Sequence, residues 1–291
     1  MFELYQVGAE SYYIQSPAKI GLVKLAEDEV CLIDSGNDKD AGRKLRQLLD
    51  KNGWQLAAIY NTHSNADHIG GNKYLQAQTG CKIFAPGIDC AFTRHPVLEP
   101  AFLYGGFPPK QLRHKFLLAQ ESGAEYLTPD KLPAGMSMIP LPGHFFDMTG
   151  FRTADGTVYL ADCLSSRETL EKYRIGFIYD VAAYLDTLER VQALEGAMFV
   201  PAHAEATENI APLAKYNADK VLEIADKILE LCKEPLGFEE LLQKLFSLYA
   251  LTMDFEQYVL VGSTVRSYLA WLSDRGLIQA VFDGGRLLWR A

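Results

Sequence analysis

The chain has 291 residues, 48% of them hydrophobic and 22% charged, which excludes a disordered, collagenous or membrane-embedded protein and allows a sizeable core. Lys and Arg number 28 against 37 Asp and Glu, and the net charge of -9 repels polyphosphate backbones, so no nucleic-acid partner is expected. No run reaches the roughly 20 apolar residues of a bilayer span, and Met1 to Tyr5 carry neither a basic leader nor an apolar run. A cytoplasmic protein with no membrane partner is the expectation. Five scattered cysteines without a CxxC pair point to reduced thiols rather than to a disulfide framework.

Residues 2–7, 12–15, 20–25 and 30–33 are short runs rich in β-branched and aromatic residues, separated by turn formers, the pattern of a β-meander. Asp34 to Asp38 form a polar break that can cap a helix carrying Leu45, Leu48 and Leu49, and Asn52-Gly53 stops it. Strand and helix then alternate. Strands at 56–60 and 81–85 flank a helix at 71–78, and strands recur at 158–161 and 198–200. Between the last two, Ile178, Val181, Leu185, Leu188 and Val191 follow a helical period. This order predicts an α/β protein whose sheets are covered by helices on their outer faces.

Residues 86–136 interrupt the alternation with seven prolines and with Tyr104-Gly105-Gly106-Phe107, and read as a long irregular excursion, either functional or packed on itself. After Pro201 the pattern turns helical, at 213–231, 238–249 and 256–272, and ends with strands at 277–282 and 286–289 around Asp283-Gly284-Gly285. Three helices and a hairpin is the order of a winged-helix module. Residues 205–291 nevertheless hold more acids than bases, so a structural role or a homodimer contact is favoured over DNA reading.

The chemistry concentrates in Tyr60-Asn61-Thr62-His63-Ser64-Asn65-Ala66-Asp67-His68-Ile69-Gly70-Gly71, where a strand ends and a helix begins. His63 and Asn65 are two apart in extended chain and point the same way, while Asp67 and His68 open the next turn. The tandem glycines let the backbone turn sharply beneath them. Imidazoles, a carboxylate and an amide converging at a loop are what a divalent metal requires. Of six histidines, two more lie after turn formers or strand-like runs, His144 in Leu141-Pro142-Gly143-His144 and His203 in Val200-Pro201-Ala202-His203. Asp162 follows the apolar run Val158 to Ala161, at a strand end where ligands of layered α/β proteins collect.

With these elements in place, the sequence resembles the metallo-β-lactamase superfamily, including its glyoxalase II-like thioesterases. The matched pieces are Leu32-Ile33-Asp34-Ser35-Gly36, the segment from Thr62 to Gly71, Pro142-Gly143-His144, Leu160-Ala161-Asp162 and Pro201-Ala202-His203. They occur in the family's order over roughly the first 205 residues. The resemblance implies a four-layer αβ/βα sandwich at 1–208, with 86–136 as a loop insertion. The tail at 209–291 looks like the helical, winged-helix-like extension of some members. It also implies a first metal site from His63, the residue at 65 and His144, a second from Asp67, His68 and His203, and Asp162 bridging both. Where the family has histidine, this chain has Asn65, which offers at best a neutral carbonyl oxygen. Asn65 then binds directly or through water, or the first site stays empty, or the metal is one that tolerates oxygen, such as iron or manganese.

The leading expectation is a metal-dependent hydrolase of an ester-like bond, holding one or two divalent ions, zinc first, and using a metal-bound hydroxide as nucleophile. Asp67 and Asp162 carry the catalytic roles, Asp67 orienting the nucleophile or carrying a proton. Substrate choice would fall to the excursion. Tyr104 and Phe107 offer an apolar wall, and Arg113 and Lys115 a contact for an anionic group of a small-molecule substrate. Two rivals stand beside this reading: an iron-dependent oxidative enzyme like the superfamily's persulfide dioxygenases, because His63, His144 and Asp162 form a two-histidine-one-carboxylate set, and a non-catalytic protein whose metal site has decayed at Asn65.

Overall fold

The computed structural model describes residues 2–291. The meander forms as β1 (Leu4–Gln6), β2 (Ser11–Ile14), β3 (Ile20–Lys24) and β4 (Glu29–Ile33), each antiparallel to the next. Helix α1 (Lys39–Asn52) begins where the Asp38 carboxylate accepts the Ala41 N–H at 2.9 Å, and it stops at Gly53, whose φ of 70° suits a residue without Cβ. Then come β5 (Gln55–Tyr60), the one-turn α2 (Ala66–Ile69), α3 (Asn72–Thr79) and β6 (Lys82–Ala85).

The stretch at 86–136, expected to be irregular, contains two helices and a strand: α4 (Gly87–Arg94), α5 (Leu98–Tyr104) and β7 (Ala124–Tyr126). Its prolines misled the reading because they fall where they do no harm. Pro86 precedes the first turn of α4, and Pro100 sits in the first turn of α5, where backbone N–H groups have no helical acceptor. The chain continues through β8 (Ser137–Pro140), β9 (Thr149–Arg152), β10 (Thr157–Ser165), α6 (Arg167–Tyr173), α7 (Val181–Gln192) and β11 (Met198–His203). Ile178 lies just outside α7, in the turn that leads into it. Helices α8 (Ala211–Leu231), α9 (Phe238–Leu248) and α10 (Phe255–Asp274) follow, and β12 (Gln279–Asp283) pairs with β13 (Arg286–Arg290).

Two sheets carry the architecture. The first runs in chain order from β1 to β7, antiparallel up to β4 and parallel from there; the second has the order β11-β10-β9-β8. Alternation along single strands shows the layering. On β4, Val30 and Leu32 face Leu45 and Leu49 of α1, whereas Cys31 and Ile33 face inward, into a cluster with Phe151, Tyr159 and Val200 of the second sheet. On β10, Tyr159 joins that inner cluster while Val158 and Leu160 turn outward. The result is the expected αβ/βα sandwich. The outer core of the second sheet is continuous from Leu141 through α7, α8, α9 and α10 to Ile278, so the helical tail packs on the sandwich through shared apolar side chains. Among the described residues, no helix is long and apolar enough to cross a membrane.

Candidate metal centre

The site forms along one edge of the sandwich. His63 and Asn65 lie in the loop after β5, Asp67 and His68 in α2, His144 in the turn between β8 and β9, Asp162 on β10, and His203 ends β11. Gly70 and Gly71 were expected to supply a sharp turn, but their φ values of -61° and -85° are open to any residue. What they permit is close approach. A Cβ at Gly70 would stand 2.3 Å from the Asn37 carbonyl carbon, and one at Gly71 2.4 Å from the Ser35 oxygen. Glycine at 143 has both needs: its φ is 121°, and a Cβ there would meet the Tyr184 nitrogen at 2.3 Å.

Two groups of ligand atoms result, Asp67 with His68, Asp162 and His203, and His63 with His144 and Asp162; within each, the atoms lie within 4.8 Å of one another. Asp162 belongs to both. Its carboxylate is 3.1 Å from His68 Nε2, 3.2 Å from His203 Nε2, 3.6 Å from His144 Nε2 and 4.0 Å from His63 Nε2. His203 Nε2 also stands 3.3 Å from Asp67. The His63 and His68 rings are fully buried and Asp162 nearly so, whereas Asp67 is 35% exposed, so the cluster opens on the Asp67 side.

Each imidazole is held by its other nitrogen. His68 Nδ1 donates to Asp34 Oδ2 at 2.8 Å, His144 Nδ1 to the Phe177 carbonyl at 3.0 Å, and His203 Nδ1 to the Pro17 carbonyl at 3.1 Å. Thr62 gives its hydroxyl proton to Asp34 at 2.7 Å, so His63 Nδ1 is the donor in its 3.0 Å contact with Thr62 Oγ1. In the neutral rings every Nε2 is thereby a lone pair, and all four point at carboxylates. His63 Nε2, His68 Nε2 and Asp162 Oδ1 are buried without a hydrogen-bond partner. Acceptors facing acceptors in a buried place fit divalent cations.

Without such ions, protons would take their place. For His203, burial acts downward but Asp162 and Asp67 outweigh it and push the ring up to about 10; His68 is likewise held well above its ordinary value by Asp162, Asp67 and Asp34 against burial. His63 and His144 are lowered, first by burial. Burial would raise Asp162, yet His203 and His68 hold it well below the carboxylate range.

Asn65 lies beside the first group, with both ends of its amide engaged. Its Nδ2 donates to Glu99 Oε1 at 2.8 Å, and its Oδ1 lies 3.2 Å from His144 Nε2. Glu99 is buried on α5, and burial above all pushes its carboxyl well above the ordinary value. Asp34 and Glu99 were not foreseen as site residues. For Asp34 the signal was an acid directly after a buried strand; it sits at φ 66°, a backbone state that aspartate tolerates better than most residues. Asp89 is a third unforeseen acid. It accepts from Ser64 N at 2.9 Å, Ser64 Oγ at 2.8 Å and Asp147 N at 2.9 Å, joining α4 to the His63 and His144 loops, and burial pushes it up to about 6.

The four side chains expected to meet substrate do not line the cavity beside His144 and Asp162. A cavity of about 50 Å³ adjoins His144 and Asp162 between Ser165, Arg174, Asn217 and Lys220, and Tyr104, Phe107, Arg113 and Lys115 do not line it. Tyr104 lines a separate hollow with Tyr179, Arg266 and Trp271. Phe107 is 76% exposed under the Arg113 guanidinium, 5.1 Å from its ring centre. Lys115 is paired with Asp38, the cap of α1, at 2.8 Å.

Residues 15–203 match the family model described as Metallo-beta-lactamase superfamily. Short stretches are similar to curated proteins named hydroxyacylglutathione hydrolase. The one from Methylococcus capsulatus is 43% identical over 53 residues, covering 16% of this chain and 21% of that protein. The one from Maricaulis maris is 50% identical over 40 residues, covering 14% and 16%. The chain thus matches about a fifth or less of the length of these relatives. In fold it is similar to a beta-lactamase domain protein from Burkholderia ambifaria, with a TM-score of 0.73 at 16% identity over 99% of this chain and 93% of that one. A metallo-beta-lactamase family protein from Thermus thermophilus gives 0.71 at 15% identity, over 100% and 98%.

Proposed function

The chain belongs to the metallo-β-lactamase superfamily, and on that premise we propose that it is a metal-dependent hydrolase of an ester-like bond in a small molecule, a thioester, lactone or related group. One observation carries this reading: two ligand groups share Asp162, and four imidazoles turn their Nε2 atoms into the space between the carboxylates while Nδ1 is engaged elsewhere. His63, Asn65 and His144 would hold a first divalent ion, and Asp67, His68 and His203 a second, with zinc the first expectation and iron or manganese the alternatives. Such ions supply Lewis acidity and make a coordinated water acidic near neutral pH.

The protein's own contribution is placement. Asp34 holds His68 directly and His63 through Thr62, so one carboxylate sets both rings of adjacent sites. The Phe177 and Pro17 carbonyls fix His144 and His203 from outside the motif. Asp162 is shut away and serves as the shared anion, while Asp67, at the opening, is the carboxylate placed to orient a water or take up its proton. The relatives' name specifies an acylglutathione, which makes an acyl thioester the first substrate to assay.

The test is a panel of thioester, lactone, β-lactam and phosphodiester reporters run on the purified, the chelator-stripped and the zinc-reloaded protein. Loss of hydrolysis on stripping and its return with zinc is the expected result. Hydrolysis indifferent to stripping would overturn the proposal. A second reading rests on the first group alone, where His63, His144 and Asp162 make a two-histidine-one-carboxylate set. One iron per chain, with oxygen consumed on adding a persulfide, would favour that oxidative enzyme instead.

A further inference from the structure

We propose that Glu99 is the positioning residue of the first metal site: its carboxylate holds the Asn65 amide with Nδ2 turned away, so that Oδ1 is presented as an oxygen ligand beside His63, His144 and Asp162. This rests on the reading that a divalent ion binds there. A primary amide offers two ends of nearly equal size, and only the oxygen can ligate a cation. Left free, Asn65 would present either. Glu99 decides the matter. Its Oε1 accepts from Asn65 Nδ2 at 2.8 Å, and the Ala66 backbone N–H is a second donor to the same carboxyl group. With Nδ2 committed, Oδ1 is the end that faces His144 Nε2, 3.2 Å away.

That second contact is the telling one. In a neutral ring whose Nδ1 proton goes to the Phe177 carbonyl, His144 Nε2 and Asn65 Oδ1 are two acceptors confronting each other. Such a pair repels unless a cation lies against both. Glu99 itself is only 4% exposed, on a short helix whose other buried residues are Pro100 and Leu103. An acid in that setting is costly to bury, and an apolar residue of similar size would pack there more cheaply if packing were its whole purpose. The helix α5 that carries it belongs to the excursion at 86–136, so this insertion supplies the support that makes asparagine serviceable at position 65.

The experiment is a zinc titration by calorimetry, with the visible spectrum of the cobalt(II)-loaded protein as a second readout. Wild type is expected to take up two ions per chain, the weaker step belonging to the first site. Glu99→Leu should weaken that step by about 10- to 100-fold, the usual effect of removing a residue that orients a ligand, and leave the stronger step and its spectrum unchanged. Glu99→Gln keeps a carbonyl that can accept from Asn65 and should lose less. In an Asn65→Ala background, Glu99→Leu should cause no further weakening, because its effect passes through the missing side chain. An unchanged weaker step in both Glu99 variants overturns the proposal, as does a full-sized loss that persists in the Asn65→Ala background. Should Glu99→Leu fail to fold, Glu99→Gln carries the same comparison. A wild-type protein that binds ions at neither site overturns the metal-dependent reading as a whole, whereas two bound ions with indifferent Glu99 variants overturn only the role given to Glu99.

Discussion

Asp155 and Asp162 sit at the two ends of one stretch of chain, the first in the turn before β10 and the second within that strand, and their surroundings are opposites. Asp155 is met by four donors: Ser11 Oγ at 2.9 Å, Thr153 Oγ1 at 2.6 Å, Thr157 N at 3.2 Å and Glu10 N at 3.0 Å. Asp162 is met by four imidazole Nε2 atoms, each an acceptor when its ring is neutral. Both carboxyls lie below their ordinary range. At Asp155 burial is outweighed by the hydroxyl and amide donors; at Asp162 burial is outweighed by His203 and His68, whose protons stand in for a cation. A carboxylate saturated by donors fastens the sandwich together, whereas one ringed by imidazoles has the surroundings of a metal ligand.

The comparison makes its largest prediction at Asp162. Asp162→Ala removes the ligand shared by both groups, so metal content should fall at both sites and hydrolysis by more than about a hundredfold, beyond the usual effect of losing an outer partner. Full activity with unchanged metal content would end the assignment. Asp34→Asn comes next, because one side chain supports His68 and, through Thr62, His63; metal affinity should drop by about 10- to 100-fold, read by zinc titration. Asn65→His sharpens the contrast from the other side. An imidazole nitrogen in place of an amide oxygen should tighten the weaker zinc step about tenfold, one decade or about 1.4 kcal/mol, and an unmoved binding curve would count against position 65 as the limiting ligand.

The smallest effect belongs to Asp155. Asp155→Asn should leave metal binding and hydrolysis untouched and cost about 1–2 kcal/mol of stability, measured by urea unfolding at pH 7. Its folded value of about 2 lies below the ordinary 3.8, so the wild-type contribution is complete above about pH 4 and disappears as the pH falls towards 2. The difference in stability between the two proteins should therefore shrink over that acid range. A difference that stays constant from pH 6 to pH 2 would mean that the carboxylate is not the fastening group.

Much of this was legible because the signals were local. The meander, α1 with its Asp38 cap and Gly53 stop, and the positions of His63 after a strand, His68 in the turn that follows and His203 at a strand end all follow from patterns within a few residues. Other features were hidden by the residues that make them work. Gly150 lowers the strand signal of β9, yet a Cβ there would stand 2.4 Å from the Tyr159 carbonyl oxygen, so the sheet needs the residue that conceals it. Backbone carbonyls at Pro17 and Phe177 hold two of the histidines and have no signature at all in side-chain sequence. Glu99 was unreadable for a related reason: its partner is 34 positions away, and only the folded chain brings α5 against the loop after β5. Tyr104 and Lys115, two of the four expected substrate residues, border hollows apart from the histidines. Aromatic and basic types in a long insertion describe a surface, and they do not say which hollow it borders.

The pairing of β10 with β11 slips in register between Tyr159 and Ala161, and Ala161 takes a φ of 50°. Alternation resumes one step out of phase, with Asp162 delivered among the imidazoles of the site and Cys163 sunk in the outer core. Position 161 is thus a gatekeeper for an anion it never touches. Alanine tolerates the left-handed backbone at modest strain and glycine would relax it, but valine or isoleucine would press the strand back into regular phase and rotate the carboxylate away. A branched side chain at 161 would therefore disturb the site without altering any of its ligands.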